Sequence, residues 1–139
     1  MISFSFKDTL FHDIVSRKVE TVVVPDTVTR IGDHAFNSCS ALKSADLIAV
    51  TELGTGAFGY CTSLISLLLR SETMCSYDGY LQSSSIESGS GYVYVPAALV
   101  DTYKAASGWK NHANQFRALE DYTVDGTITG ALDPNKTGA

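Results

Sequence analysis

Positive charge is scarce in this sequence. Ten lysines and arginines stand against 15 aspartates and glutamates, for a formal net charge of −5, and no basic run occurs anywhere. Nucleic-acid and anionic-membrane binding rest on clustered Lys and Arg that neutralise phosphates, so neither partner class is expected. Long apolar runs are missing too. Stretches such as Leu67 to Leu69, with Ile65 nearby, fall far short of the ~20 residues of a transmembrane helix, and no membrane insertion is expected. Residues 1–13 are interrupted by Lys7, Asp8, His12 and Asp13, so the expectation is that no classical secretion signal is present. Only three cysteines occur, Cys39, Cys61 and Cys75. They cannot all pair within one chain and none has C-x-x-C spacing, which argues against a disulfide framework or a zinc site.

Catalytic signatures are equally thin. His12, His34 and His112 are scattered, with no H-E-x-x-H pair and no G-x-S-x-G elbow to partner them. Asp121, Asp125 and Asp133 do not reproduce the alternating spacing of a calcium loop. Asn135-Lys136-Thr137 is a formal glycosylation sequon that reads as accidental in a chain without a secretion signal. The expectation is therefore a protein that is not an enzyme, with no metal, no cofactor and no catalytic residue. What the sequence does have is 45% hydrophobic against 18% charged residues over 139 positions, the composition of one ordered domain.

It also has a repeat. Ile31-Gly32-x-x-Ala35-Phe36-x-x-Cys39-x-x-Leu42 recurs as Leu53-Gly54-x-x-Ala57-Phe58-x-x-Cys61-x-x-Leu64, each position shifted by 22 residues. Each unit runs into an L-x-x-L-x-L stretch: Leu42, Ala45 and Leu47, then Leu64, Leu67 and Leu69, with Val19, Val22 and Val24 as an earlier copy. A period of about 20 to 29 residues with this spacing marks a leucine-rich repeat, in which every unit lays one short strand into a parallel sheet. Along each strand alternate side chains must face the core. Phe36 and Phe58 should stack, and Cys39 and Cys61 should lie one above the other in adjacent coils as buried thiols. Cys75, outside the register, is the thiol expected at the surface. The literal G-x-G-x-x-G of Gly54 to Gly59 is set aside as a dinucleotide fingerprint, because the aligned Gly32 to Asn37 lacks the later glycines and no long helix follows.

The stretches TVTRIGDHAFNSCSALKSADL and VTELGTGAFGYCTSLISLLL resemble the BspA-like leucine-rich repeats of bacterial surface proteins and some phage-associated ones. YVYVPAALVDTYKAASGWKNHANQFRALEDY resembles the segment that closes such arrays, so the likeness runs from about Val19 to Tyr122. Ser71 to Gly91 departs from it: no Ala-Phe-x-x-Cys unit appears, and the third repeat is expected to be degenerate or looped out. The predicted fold is an α/β leucine-rich-repeat solenoid. It has a short parallel sheet, short helical turns on the opposite side, and a C-terminal strand–helix cap.

A solenoid must close both ends of its stack. At the C-terminal end a strand at Tyr92 to Val95 is followed by Pro96 and a helix from about Ala97 to Ser107, stopped by Gly108. Leu99, Val100 and Tyr103 form its inner stripe, and Trp109, Phe116 and Leu119 plug the stack. At the other end Ile2, Phe4 and Phe6 suggest a strand, and Leu10-Phe11 a decayed Ala-Phe unit. Residues 1–122 form the repeat domain and 123–139 a flexible tail.

The outer sheet face is the remaining place for function. One column holds Val23, Asp46, Leu68 and Tyr94, the other Thr21, Ser44, Ser66 and Tyr92; these eight are the candidate partner-binding residues. Together with the resemblance they imply a protein-interaction or adhesion module for a protein or surface glycan, at the cell surface or on a virion. The alternative is a structural accessory of a phage, prophage or other surface assembly, in which case a homo-oligomer is expected.

Overall fold

The computed structural model describes residues 2–3 (backbone only), 19–77, 81 and 83–122. The expectations for Phe4, Phe6, Leu10-Phe11, His12, Asp125, Asp133, the Asn135 sequon and the tail 123–139 lie outside these residues. Six parallel strands stack side by side: β1 (Ile2–Ser3), β2 (Thr21–Val24), β4 (Ser44–Leu47), β6 (Ser66–Leu69), β7 (Tyr92–Val95) and β8 (Phe116–Ala118). Thr21 pairs with Ser44, Ser44 with Ser66 and Ser66 with Tyr92. The first two steps are 23 and 22 residues, as the repeat requires, and the third is 26. Val22, Ala45, Leu67, Val93 and Phe116 form one buried column. Val24, Leu47 and Leu69 start a second, which Val95 continues.

Each coil then turns a corner through a two-residue strand. β3 (Arg30–Ile31) pairs with β5 (Glu52–Leu53), and Glu52 bridges on to Ser76. The return side is a chain of tight turns closed by bonds three residues apart, such as Ala35 N–H to Gly32 O and Cys39 N–H to Phe36 O. Residues with positive φ interrupt these turns at matching repeat positions, His34 (58°) with Gly56 (64°) and Ser38 (64°) with Tyr60 (59°). No helix can run through such residues. The coils are tied to one another instead: His34, Phe36 and Ser38 donate to the carbonyls of Thr55, Ala57 and Gly59 at 2.8 to 2.9 Å. Phe36 and Phe58 stack with ring centroids 5.2 Å apart and planes within 7°.

Gly54 and Gly56 divide the work of that turn. Gly56 supplies the left-handed conformation that His34 adopts at a cost. Gly54 has no positive φ; it is there because a Cβ would run into the backbone nitrogen of Asp33 at 2.5 Å and the carbonyl carbon of Gly32 at 2.7 Å. The G-x-G-x-x-G match is therefore accounted for by coil packing.

The third coil is present and degenerate. Met74 to Tyr77 runs along β5, with Leu53 N–H donating to Ser76 O (2.8 Å) and Ser76 N–H to Thr51 O (2.9 Å). This pairing fixes the alternation and corrects one expectation: Cys75 is fully buried, with Ser76 outward and Tyr77 inward. In place of an Ala-Phe-x-x-Cys unit, Tyr77, Leu81 and Ile86 fill the core. The Tyr77 hydroxyl accepts the Phe58 N–H at 3.3 Å, the amide whose counterpart one coil earlier bonds to Ala57 O.

The cap also differs in detail from the expected strand and single helix. After Pro96 comes a 3-10 turn, Ala97–Leu99, and only then a six-residue helix α1 (Val100–Ala105). Helix α1 stops early because Ala106 is extended (φ −73°, ψ 141°), so that Trp109 swings back under the stack. Tyr103 is buried, with Leu99 and Val100 packed partly against the core. Phe116, expected as a plug, is the inward residue of the sixth strand, and Leu119 is only half-buried. Tyr103, Trp109 and Phe116 form an aromatic nest with centroids 5.4 to 5.8 Å apart, and Tyr77 joins Trp109 at 5.2 Å. Side chains of this size each add about 1.5 to 3 kcal/mol on full burial. The nest is latched to the third coil at one residue: Cys75 N–H donates to the Tyr103 hydroxyl (2.6 Å), and Trp109 Nε1–H donates to the Cys75 carbonyl (2.8 Å).

Candidate functional site: the outward face of the parallel sheet

Because the strands are parallel and in register, the side chains between the core positions form straight columns. Thr21, Ser44, Ser66 and Tyr92 make one; Val23, Asp46, Leu68 and Tyr94 make the other, and β8 extends it by Arg117. The columns are unequal in exposure. Thr21 is open, and Val23, Ser44, Asp46, Tyr92 and Tyr94 are half-buried. Ser66 (8%) and Leu68 (1%) are buried although they face outward. Leu68 lies between its register neighbours Asp46 and Tyr94.

Arg70, two residues beyond Leu68, reaches across to Asp46 with a pair of contacts, Nε to Oδ1 at 2.6 Å and Nη2 to Oδ2 at 3.1 Å. A bidentate fork of this kind holds both side chains in one geometry. Ile48 follows β4 with the outward parity of Asp46 and is 37% exposed.

Aromatic rings dominate the C-terminal end of the face. Tyr92 and Tyr94 meet edge-on at 6.2 Å, Tyr94 and Tyr122 at 5.0 Å, and the Arg117 guanidinium carbon sits 4.5 Å over the Tyr92 ring. Arg117 Nη1 also donates to the carbonyls of Asn114 (3.0 Å) and Phe116 (2.8 Å), which fixes the guanidinium in place. Burial pushes the Tyr94 hydroxyl above its ordinary pKa, and the neighbouring Tyr122 and Tyr92 add to the effect while Arg117 opposes it.

Arg70, Arg117 and Tyr122 were not among the residues singled out from sequence. Arg70 shares the parity of Leu68 and could have been found by extending that strand. Arg117 lies 23 residues after Tyr94, the same step that carries Val93 to Phe116, and required recognition of a strand in the cap. Tyr122 reaches the face through a 3-10 turn, Leu119–Asp121, and no spacing signals it.

Chemically the face carries ring edges, a fixed cation and an ion pair. The three cysteines are free and buried. Cys39 and Cys61 lie beside each other, Cys61 Sγ donates to Phe36 O at 3.0 Å, and the hydrogen bond between the two thiols with their burial pushes the Cys39 thiol far up. His34 is exposed and His112 half-buried. Among the described residues no three His, Cys, Asp or Glu side chains gather as a metal site, and no helix is long and apolar enough to cross a membrane.

No curated protein and no solved structure matches this chain. Residues 5–90 match the family described as BspA type leucine rich repeat region, in six copies. That span covers both regular coils and the degenerate third one. The chain belongs to the BspA-type leucine-rich-repeat family.

Proposed function

We propose that this chain is a non-enzymatic binding module. Residues 1–122 would form its domain and 123–139 a tail, and it would hold a protein or a surface glycan on the outward face of its sheet, in the setting of a cell surface or a virion. The family is one of repeat modules that bind other proteins. The observation that carries the reading is the cluster at the C-terminal end of the face, where Tyr92 and Tyr94 are half-exposed in adjoining columns and Arg117 is locked over a ring. Tyrosine and arginine supply large contact area with a polar tip and dominate interface hot spots. Thr21, Ser44, Val23 and the Asp46–Arg70 pair would form the more polar remainder.

The test is an array of surface glycans and purified bacterial and host surface proteins, screened with the wild type and with Tyr92→Ala/Tyr94→Ala. A partner of the wild type should lose at least ~30-fold in affinity in the double variant, the range of two hot-spot residues. A partner held equally by both proteins would place the binding site elsewhere. A stable trimer or larger ring in solution, with no ligand captured, would instead favour a structural role in an assembly.

A further inference from the structure

The face described above is already in use. Alternation along β6 and β7 directs Leu68 and Tyr94 away from the core, yet Leu68 is closed off to 1% exposure and Tyr94 is half-buried. After β8 the chain does not leave the domain. The 3-10 turn Leu119–Asp121 follows, Tyr122 N–H closes the turn on Leu119 O at 3.1 Å, and the Tyr122 ring lands on Tyr94 with 8% of its surface exposed. Tyr122 is buried but lies outside the main core cluster, and its ring contact is with the outward tyrosine. The two residues before it are Glu120 and Asp121, both exposed. Arg117 stands in register beside Tyr94, and the charges of Asp121 and Arg117 both bear on the Tyr94 hydroxyl.

We infer that Leu119–Tyr122 is an internal ligand of the outward face, and that the partner is a protein segment in which an aromatic side chain follows acidic residues and takes the seat of Tyr122 against Tyr94. This rests on the reading of that face as the binding surface and names the kind of partner it takes. The chemistry of recognition is that of the occupant: a ring edge-on to Tyr94, preceded by two exposed carboxylates. A segment joined directly to the end of β8, with Tyr122 four residues beyond Ala118, has a high effective concentration at its seat. A partner in solution must therefore displace it, and its apparent affinity falls by the fraction of molecules in which the seat is open.

The probe is the acetylated hexapeptide Arg-Ala-Leu-Glu-Asp-Tyr, the sequence of residues 117–122, titrated by NMR into the full chain with the Leu68 methyl groups as reporter. Full-length Tyr122→Ala should bind it at least ~10-fold more tightly than the wild type, and binding should vanish when the peptide tyrosine is alanine or when Tyr94→Ala is added. Equal affinity of the folded wild type and Tyr122→Ala, or no binding by either, would overturn the inference.

Amide exchange in the wild type keeps the test valid should Tyr122→Ala not fold. The Tyr122 amide should exchange at least ~10-fold faster than those of β7, as a displaceable segment requires. Protection equal to β7 would make Tyr122 a fixed part of the cap and overturn the inference. A partner from the array that is lost with Tyr94→Ala but unchanged by Tyr122→Ala refutes the internal ligand alone, whereas one that ignores Tyr94→Ala refutes the binding face itself.

Discussion

The two regular coils and the capping region solve the same problem by different means. From Val19 to Leu69 the main core features are used twice at a fixed step. Phe36 lies on Phe58, Cys39 beside Cys61, and backbone groups of one turn bond to those of the next. From Ser71 to Tyr122 the Ala-Phe-x-x-Cys unit is gone: Tyr77, Tyr103, Trp109 and Phe116 are each used once in the core, and side chains join the backbone as hydrogen-bond partners between coils. Phe58 N–H bonds to the Tyr77 hydroxyl, and Cys75 is gripped through both its N–H and its carbonyl. A coil in the middle of a stack can rely on identical neighbours above and below. The last coil has a neighbour on one side only, so its open face must be closed by residues chosen for their individual shapes.

The sharpest way to break this comparison is to remove residues 92–139. Coil three would then lose the Tyr103 and Trp109 partners of Cys75, and Leu67 would lose Val93 beside it. The truncated chain should aggregate, as sizing chromatography would show. A soluble monomer with an unchanged thermal midpoint would make the cap an independent appendage. Next in size come the paired anchors of the regular coils. Phe36→Ala and Phe58→Ala should each cost about 3 to 5 kcal/mol in chemical denaturation, because both rings are buried and each would leave a cavity against the other. A loss under about 1 kcal/mol in either would remove that ring from the core.

This contrast also decides what could be read from sequence. A feature used at a constant step leaves a period, and the columns on both faces of β2, β4 and β6 follow from it directly. Cys75 was misplaced because its position obeys the pairing of Ser76 with Thr51 and Leu53, a contact that leaves no trace in the repeat. The strand at Phe116 was hidden by the same lack of periodicity, and with it Arg117. The burial of Leu68 was illegible for another reason. Parity gives the direction of a side chain and its column neighbours, but not the contacts those neighbours make, and here the reach of Arg70 to Asp46 and the seat of Tyr122 on Tyr94 are added by the fold.

A pH titration sharpens the comparison at the latch. Burial raises the Cys75 thiol from 9.0 to about 12, with the nearby Glu52 adding to it, and burial raises the Tyr103 hydroxyl from 10.0 to about 12. Both groups stay protonated in the folded protein after they have ionised in the unfolded chain. The unfolded state then binds fewer protons, so stability falls as pH rises. The loss should begin near pH 9 and steepen above 10, at about 1.4 kcal/mol per pH unit for each group, with full stability from these groups below pH 9. In denaturation measured from pH 8 to 11, Cys75→Ala should make the curve shallower between 9 and 10, where the raised Cys39 thiol still contributes, and leave the further steepening above 10. A curve unchanged by that substitution would mean that Cys75 is in contact with water. Ellman's reagent at pH 8 should likewise label all three thiols slowly in the native protein.

The smallest effect is expected at the end of the chain, where the boundary between cap and tail can be set. Residues 123–139, TVDGTITGALDPNKTGA, are small and polar with no periodic apolar face, and such a segment adds little to a core. Tyr122, by contrast, is seated on Tyr94, and its N–H is bonded to Leu119 O. Deleting Thr123 to Ala139 should therefore leave the thermal midpoint within about 3 °C of the full-length value, since at this chain length 1 kcal/mol corresponds to about 2 to 8 °C. Extending the deletion by four residues, to Leu119, should uncover Tyr94 and quicken its nitration by tetranitromethane. If the shorter deletion alone lowered the midpoint by 10 °C or more, residues beyond Tyr122 would belong to the cap, and the domain would not end where the aromatic contacts end.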